Sequence, residues 1–211
     1  ALPISHMEGA LLAHSTLAGG MFANAHLEGA DVSGGVALQG ADFLLASLAG
    51  ADLSAVPAAL SEAARLVDAA RAAGATVIFI RLETWPETDS QAWKERARRA
   101  GRVPEKDLAI CRAGTPGAEF TGPLPAKNDI VVAKARYSSF VGTKLDSILK
   151  EKAIDTLVVC GLATDCCVDC TVRDAFHRDY HVFLAADACA SYDKTSHDAA
   201  VQSLERNCAI L

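Results

Sequence analysis

Four of the chain's seven cysteines, Cys160, Cys166, Cys167 and Cys170, fall within eleven residues. Two chemistries are open to such a group: a thiolate nucleophile, or a dithiol couple at Cys167-Val-Asp-Cys170. The stretch Gly161-Leu-Ala-Thr-Asp-Cys-Cys-Val-Asp-Cys-Thr-Val-Arg-Asp-Ala175 leaves an apolar strand, turns and enters a helix, which puts Cys167 in the first helical turn. Unpaired N–H groups and the helix dipole favour an anion there, so the thiol pKa should fall. In an open α/β sheet, the carboxyl end of a strand is also where ligands bind. The dithiol reading is opposed by Asp165 and Asp169, whose charges work against thiolate formation. Crowded cysteines suit neither a spread disulfide framework nor a secreted protein of this size, and point to a reducing cytoplasm.

The elements that position these residues follow from hydrophobic periodicity. Residues 55–73 place Leu60, Ala63, Ala64, Val67 and Ala70 on one helical face, and Gly74 stops the helix. Short apolar runs at 77–80, 130–133, 157–160 and 182–185 read as strands. They alternate with helices over 143–152, 165–178 and 193–206, and a charged helix near 90–100 interrupts the long irregular stretch 82–128. Continuous apolar strands separated by amphipathic helices predict a doubly wound α/β fold, a parallel sheet sandwiched by helices. The 211 residues are 51% hydrophobic and 22% charged, enough for one such domain plus a small appendage. The net charge of -6 argues against nucleic acid or an anionic membrane as a partner, and no apolar run reaches the length of a membrane span.

Gly161, Thr164, Asp165, Cys167, Val168, Thr171, Asp174 and Ala175 match the signature Gly-x-x-Thr-Asp/Asn-x-Cys-Val-x-x-Thr-x-x-Asp-Ala. Over residues 57–211 the chain thus resembles the isochorismatase-like cysteine hydrolases. The resemblance assigns the nucleophile to Cys167 rather than Cys166 or Cys170. It implies a non-proline cis peptide near Ala163-Thr164, and an oxyanion hole from the backbone N–H groups of Thr164 and Cys167. The run Lys134-Ala-Arg-Tyr-Ser-Ser-Phe140, followed by Thr143 and Leu145-Asp146, matches a second family pattern. It makes Lys134, at a strand end, the cationic partner of the thiolate. Tyr137, Phe140 and Asp165 become candidates for the substrate pocket, although Tyr137 and Phe140 suit a lid or core role equally. Cys111-Arg-Ala-Gly-Thr-Pro-Gly resembles a loop of the branch acting on ureides and carbamoyl compounds. The implied reaction is hydrolysis of a small-molecule C–N bond through a thioester, with no cofactor and no metal. Relatives often form dimers or tetramers, so a homo-oligomer is expected. The metal-ligand set of nicotinamidase-type relatives has no counterpart in Arg81-Leu-Glu-Thr-Trp-Pro-Glu87, which lacks histidine. His177 and His181 read as helix-end and strand-start residues, and Lys94 to Arg102 as a solvated face or a binder of a substrate carboxylate.

The family's third catalytic group is an Asp at the end of its first, central strand, and no such strand-Asp run is recognisable here. Asp31 and Asp42 are the candidates by distance ahead of the first helix. This departure sustains a second reading, a catalytically impaired hydrolase fold used for interaction. Something in residues 8–56 must fill the central slot, or the sheet is rearranged or supplemented, because buried unpaired backbone groups are costly. Those residues have a period of five: Leu12, Leu17, Phe22, Leu27 and Val32, then Leu38, Phe43, Leu48 and Leu53. Small residues sit two positions before most of them, a pattern similar to the pentapeptide-repeat family, whose pentapeptides form the sides of a square β-helix. The expected division is therefore 1–56, an atypical repeat-like segment, and 57–211, the hydrolase domain.

Overall fold

The computed structural model describes residues 57–120, 122–191 and 194–211. The repeat-like segment, with Asp31 and Asp42, lies outside the described residues. These fall into two compact units, one holding 82–119 and the other 57–81 with 120–211.

Residues 82–119, the described part of the first unit, hold little regular structure. Helix α2 (Gln91–Arg99) starts where the Ser90 hydroxyl accepts the Trp93 N–H, an N-cap that satisfies an otherwise orphaned donor. The short α3 (Pro104–Asp107) follows. Arg112 grips Asp89 through two nitrogens, at 3.0 and 2.6 Å, and the buried Thr84 hydroxyl donates to the Ile110 carbonyl at 2.5 Å. These contacts tie the two ends of a loop that has little core of its own.

The larger unit runs α1 (Pro57–Ala72), β1 (Ile78–Leu82), β2 (Ile130–Lys134), α4 (Leu145–Glu151), β3 (Thr156–Leu162), α5 (Asp169–Phe176), β4 (His181–Ala190) and α6 (Lys194–Asn207). The helices and strands expected from periodicity all form, with ends shifted by a few residues. Among the described residues the strands make two pairs, β1 with β2 and β3 with β4, the latter parallel. No described strand joins one pair to the other, which is where the absent central strand was expected. Val158 pairs in register with Phe183, and Phe183 makes an isolated parallel bridge to Ile210.

The core lies on one side of β3 and β4. Leu149 from α4, Val172 and Ala175 from α5, and Leu204 from α6 are essentially sealed against Val182 and Leu184. The opposite side is less covered than a doubly wound sheet predicts: Val158 and Ile210 are each 59% exposed and Phe183 is 39% exposed. Over 181–184, buried Val182 and Leu184 alternate with exposed His181 and Phe183, the period-two signature of a strand segment covered on one face, while α1 also packs against β4.

Candidate active site

The nucleophile segment is built by a distorted strand end. Register between β3 and β4 holds from Thr156 to Val159 and then slips, so that Gly161 faces Cys189. Gly161 adopts φ +127°, which side chains with a Cβ rarely tolerate. The next peptide but one, Leu162–Ala163, is cis. It lies one bond earlier than the resemblance implied.

Beyond it the chain does not enter an α-helix directly. The Ala163 carbonyl accepts N–H groups from Cys166 (3.2 Å) and Val168 (3.1 Å). This closes one π-helical turn, Thr164–Val168, ahead of α5. Cys167 therefore sits in a widened turn rather than in the first turn of a regular helix. The reason is the i→i+5 bond, which takes one more residue than an α-turn; such turns recur at functional sites.

Three groups converge on the Cys167 sulfur. The neighbouring Cys166 thiol, the Lys134 ammonium and the Ala163 N–H each favour its charged form. Together they hold the Cys167 thiol down, to about 6, against a burial that pushes it up. The Cys166–Cys167 contact shares one proton and does not by itself choose the anion. Lys134 and the Ala163 N–H choose it, since both favour charge on Cys167; the Cys166 thiol is correspondingly driven up. The Cys170 thiol is raised by burial and then by Asp169, which removes support for a Cys167–Cys170 redox couple. None of the seven cysteines forms a disulfide.

Lys134 is the last residue of β2 and only 5% exposed. Its ammonium also donates to the Tyr137 carbonyl, so the loop after β2 holds the cation in place. Thr164 is fully buried, and its hydroxyl is 2.8 Å from Nδ1 of His197 on α6. Asp165 pairs with Ser191 just after β4: its N–H donates to the Ser191 hydroxyl at 3.2 Å, and its carboxylate accepts from that hydroxyl at 2.6 Å. Tyr137 is 41% exposed. Phe140 is a core residue. It is buried, stacks on Tyr180 at 6.0 Å and lies under the Arg178 guanidinium.

Cys167, Lys134 and Thr164 are thus assembled around one turn, with Asp165 at its rim. The sequence reading missed His197 and Ser191. Neither carries a local pattern: each meets the site only through a contact with residues 26 or more positions away.

The Isochorismatase domain family matches residues 38–211. Ureidoacrylate amidohydrolase RutB of Azorhizobium caulinodans is 40% identical over 151 residues, covering 67% of this chain and 66% of the relative. Among the ureidoacrylate amidohydrolases it matches, the chain spans 66% of the Azorhizobium protein and 60% of one from Methylorubrum extorquens, less than two thirds of either. An isochorismatase family protein from Desulfovibrio vulgaris superimposes with TM-score 0.61 at 30% identity, covering 72% of this chain and 79% of that one. N-carbamoylsarcosine amidase from Thermoplasma acidophilum does so with TM-score 0.57 at 29% identity, covering 71% and 78%. With the parallel β3–β4 pair, the signature turn at Cys167 and a family match over most of its length, the chain belongs to the isochorismatase family.

Proposed function

We propose that this chain hydrolyses a C–N bond of a small amide, ureide or carbamoyl compound through a thioester on Cys167. The reading is carried by a buried lysine at the end of β2, Lys134, whose ammonium, after the neighbouring Cys166 thiol, helps hold the Cys167 thiol down to about 6. A thiolate at neutral pH is the species that attacks a carbonyl carbon. Attack forms the C–S bond and puts negative charge on the carbonyl oxygen, which the backbone N–H groups of Thr164 and Cys167 are assigned to receive. Collapse breaks the C–N bond, and the leaving nitrogen takes a proton, for which Lys134 is the adjacent source. Water then attacks the thioester, its hydroxyl joining the carbonyl carbon and its other proton returning to Lys134; the C–S bond breaks, releasing the acid and restoring the thiolate and the ammonium. Asp31 and Asp42 remain the candidates for a third proton-handling group.

The substrate class draws support from the relatives, whose names specify ureidoacrylate and N-carbamoylsarcosine as compounds they act on. Both are carbonyl compounds flanked by nitrogen and carrying a carboxylate. A pocket at the carboxyl ends of β2 and β3, with Tyr137 and Asp165 at its rim, is part of the same proposal. So are a division of the chain near residue 56, a cytoplasmic location and a homo-oligomeric state.

Intact-mass labelling with iodoacetamide at pH 6 tests the reading. An ordinary thiol is almost wholly protonated there and reacts slowly. Rapid single labelling that disappears in Cys167→Ser is expected, followed by ammonia release from a panel of ureido and N-carbamoyl acids. Slow labelling scattered over several cysteines would transfer support to an impaired scaffold.

A further inference from the structure

The loop that carries Lys134 and the turn that carries Cys167 are joined twice. One junction is electrostatic, the Lys134 ammonium favouring the charged form of the Cys167 thiol. The other is a buried side-chain bridge. The Thr171 hydroxyl, on the first turn of α5, donates to the Cys167 carbonyl at 2.7 Å. Its single proton is thereby used, so its oxygen is the acceptor in its two other contacts. These come from the Ser139 N–H at 3.0 Å and the Ser139 hydroxyl at 3.0 Å. Ser139 is 3% exposed and Thr171 8% exposed, so water does not compete for either. The bridge has a second strut nearby, where the Ser138 hydroxyl donates to Asp174 at 2.5 Å.

These contacts form a chain from the Lys134 ammonium to the Tyr137 carbonyl, along the backbone to Ser139, across to Thr171 and on to the Cys167 carbonyl, and the same ammonium favours the charged form of the Cys167 thiol. We infer that Thr171 is a positioning residue for the nucleophile, a latch that fixes the Lys134 loop against the Cys167 turn and so sets the distance between ammonium and sulfur. The inference rests on Cys167 being the nucleophile. A lysine on a four-carbon stem does not define its own position well, because its rotamers cost little to exchange when exposed. Here the Tyr137 carbonyl holds the ammonium, and the latch holds the backbone that carries this carbonyl. Without the Thr171 oxygen, the buried Ser139 N–H loses its partner and the loop must move to find another. The ammonium then moves with it, and the thiolate loses a counter-charge whose effect falls steeply with distance.

The test is the rate of Cys167 alkylation against pH in the full chain, for wild type, Thr171→Val, Thr171→Ser and Ser139→Ala. The valine keeps the shape and removes the oxygen; the serine keeps the oxygen. Thr171→Val should raise the apparent pKa by about one unit, which slows alkylation at pH 6 by about fivefold and leaves the rate at pH 9 nearly unchanged. Thr171→Ser should restore the wild-type profile. Ser139→Ala, which retains the N–H contact, should slow alkylation at pH 6 by about twofold. A Thr171→Val profile identical to wild type overturns the latch, and so does an equal shift in valine and serine variants, which would mark a packing role. If the valine variant does not fold, Ser139→Ala decides: slowing supports the latch and a wild-type rate overturns it. A wild-type profile with an ordinary thiol pKa overturns this inference together with the nucleophile reading. A lowered wild-type value that Thr171→Val leaves in place overturns this inference alone.

Discussion

A lysine that is 5% exposed would be an expense to the fold unless its charge were used. Here the charge meets a carbonyl oxygen and a sulfur that can become an anion. Removing it while keeping the stem isolates that role. In Lys134→Met the Cys167 thiol should move up towards the ordinary range, slowing alkylation at pH 6 by about tenfold with a smaller effect at pH 9. The sign follows from the chemistry: a thiol lowered to about 6 is mostly thiolate above that pH, and loses reactivity as pH falls through it. An unchanged pH profile in Lys134→Met would remove the cation from the mechanism. His197 is the second test at this scale. Its ring holds the Thr164 hydroxyl at 2.8 Å, behind the nucleophile turn. His197→Ala should cost about 1 kcal/mol, the net worth of one hydrogen bond, measurable as a lower urea midpoint.

At the scale of elements, α1 is attached to the approach of β2 by one ion pair. Arg71 donates to Asp129 through Nε at 3.2 Å and Nη2 at 2.6 Å, and also caps the Leu124 carbonyl at 2.8 Å. Asp129 further accepts the Ala126 N–H at 2.7 Å, from three residues back, which closes the turn ahead of the strand. The Arg71 hydrogen bond, followed by the Ala126 N–H, holds the Asp129 carboxyl below its usual value. Its folded pKa is thus lower than its unfolded one, so its contribution is present above the unfolded value of about 4 and is lost as pH falls through the folded value. Asp129→Asn should lower the urea midpoint at pH 7 and flatten its decline as the pH falls below about 4. Equal acid limbs in variant and wild type would show that other carboxylates govern acid unfolding. The strand–turn unit around Gly161 belongs to the same scale. With φ +127°, Gly161→Ala is strained although no atom lies within 4 Å of the added Cβ.

For the molecule as a whole, stability rests on the cluster where α4, α5 and α6 cover β3 and β4. Leu204 and Leu149 are 0% and 1% exposed, and Val172 is sealed between them and the strands. Leu204→Ala should cost about 2–5 kcal/mol, the range for emptying a well-packed core site, and would be read as a shift of the denaturation midpoint. A cost under about 1 kcal/mol would mean the site collapses around the cavity. The other side of the strands has the reverse character, with Val158, Phe183 and Ile210 in a partly exposed apolar row. Apolar runs predicted these strands, yet a run cannot tell whether one face or both are covered, because that depends on which other elements arrive.

By itself the sequence determined the order and approximate ends of the helices and strands in 57–211, since hydrophobic period and glycine stops are local properties. It also determined that a cysteine follows β3 and a lysine ends β2, because a signature of fixed spacing holds both. What it left open, tertiary structure decided. Cys167 lies in a π-turn because a single carbonyl, Ala163, is bonded five residues on. Phe140, legible as either lid or core, is core because Tyr180 stacks on it from 40 positions away. His197 and Ser191 carry no pattern at all, and join the site only when α6 and the end of β4 fold back onto Thr164 and Asp165. Contacts between residues far apart in the chain leave no periodicity to read, and it is those contacts that bring the ammonium to the sulfur.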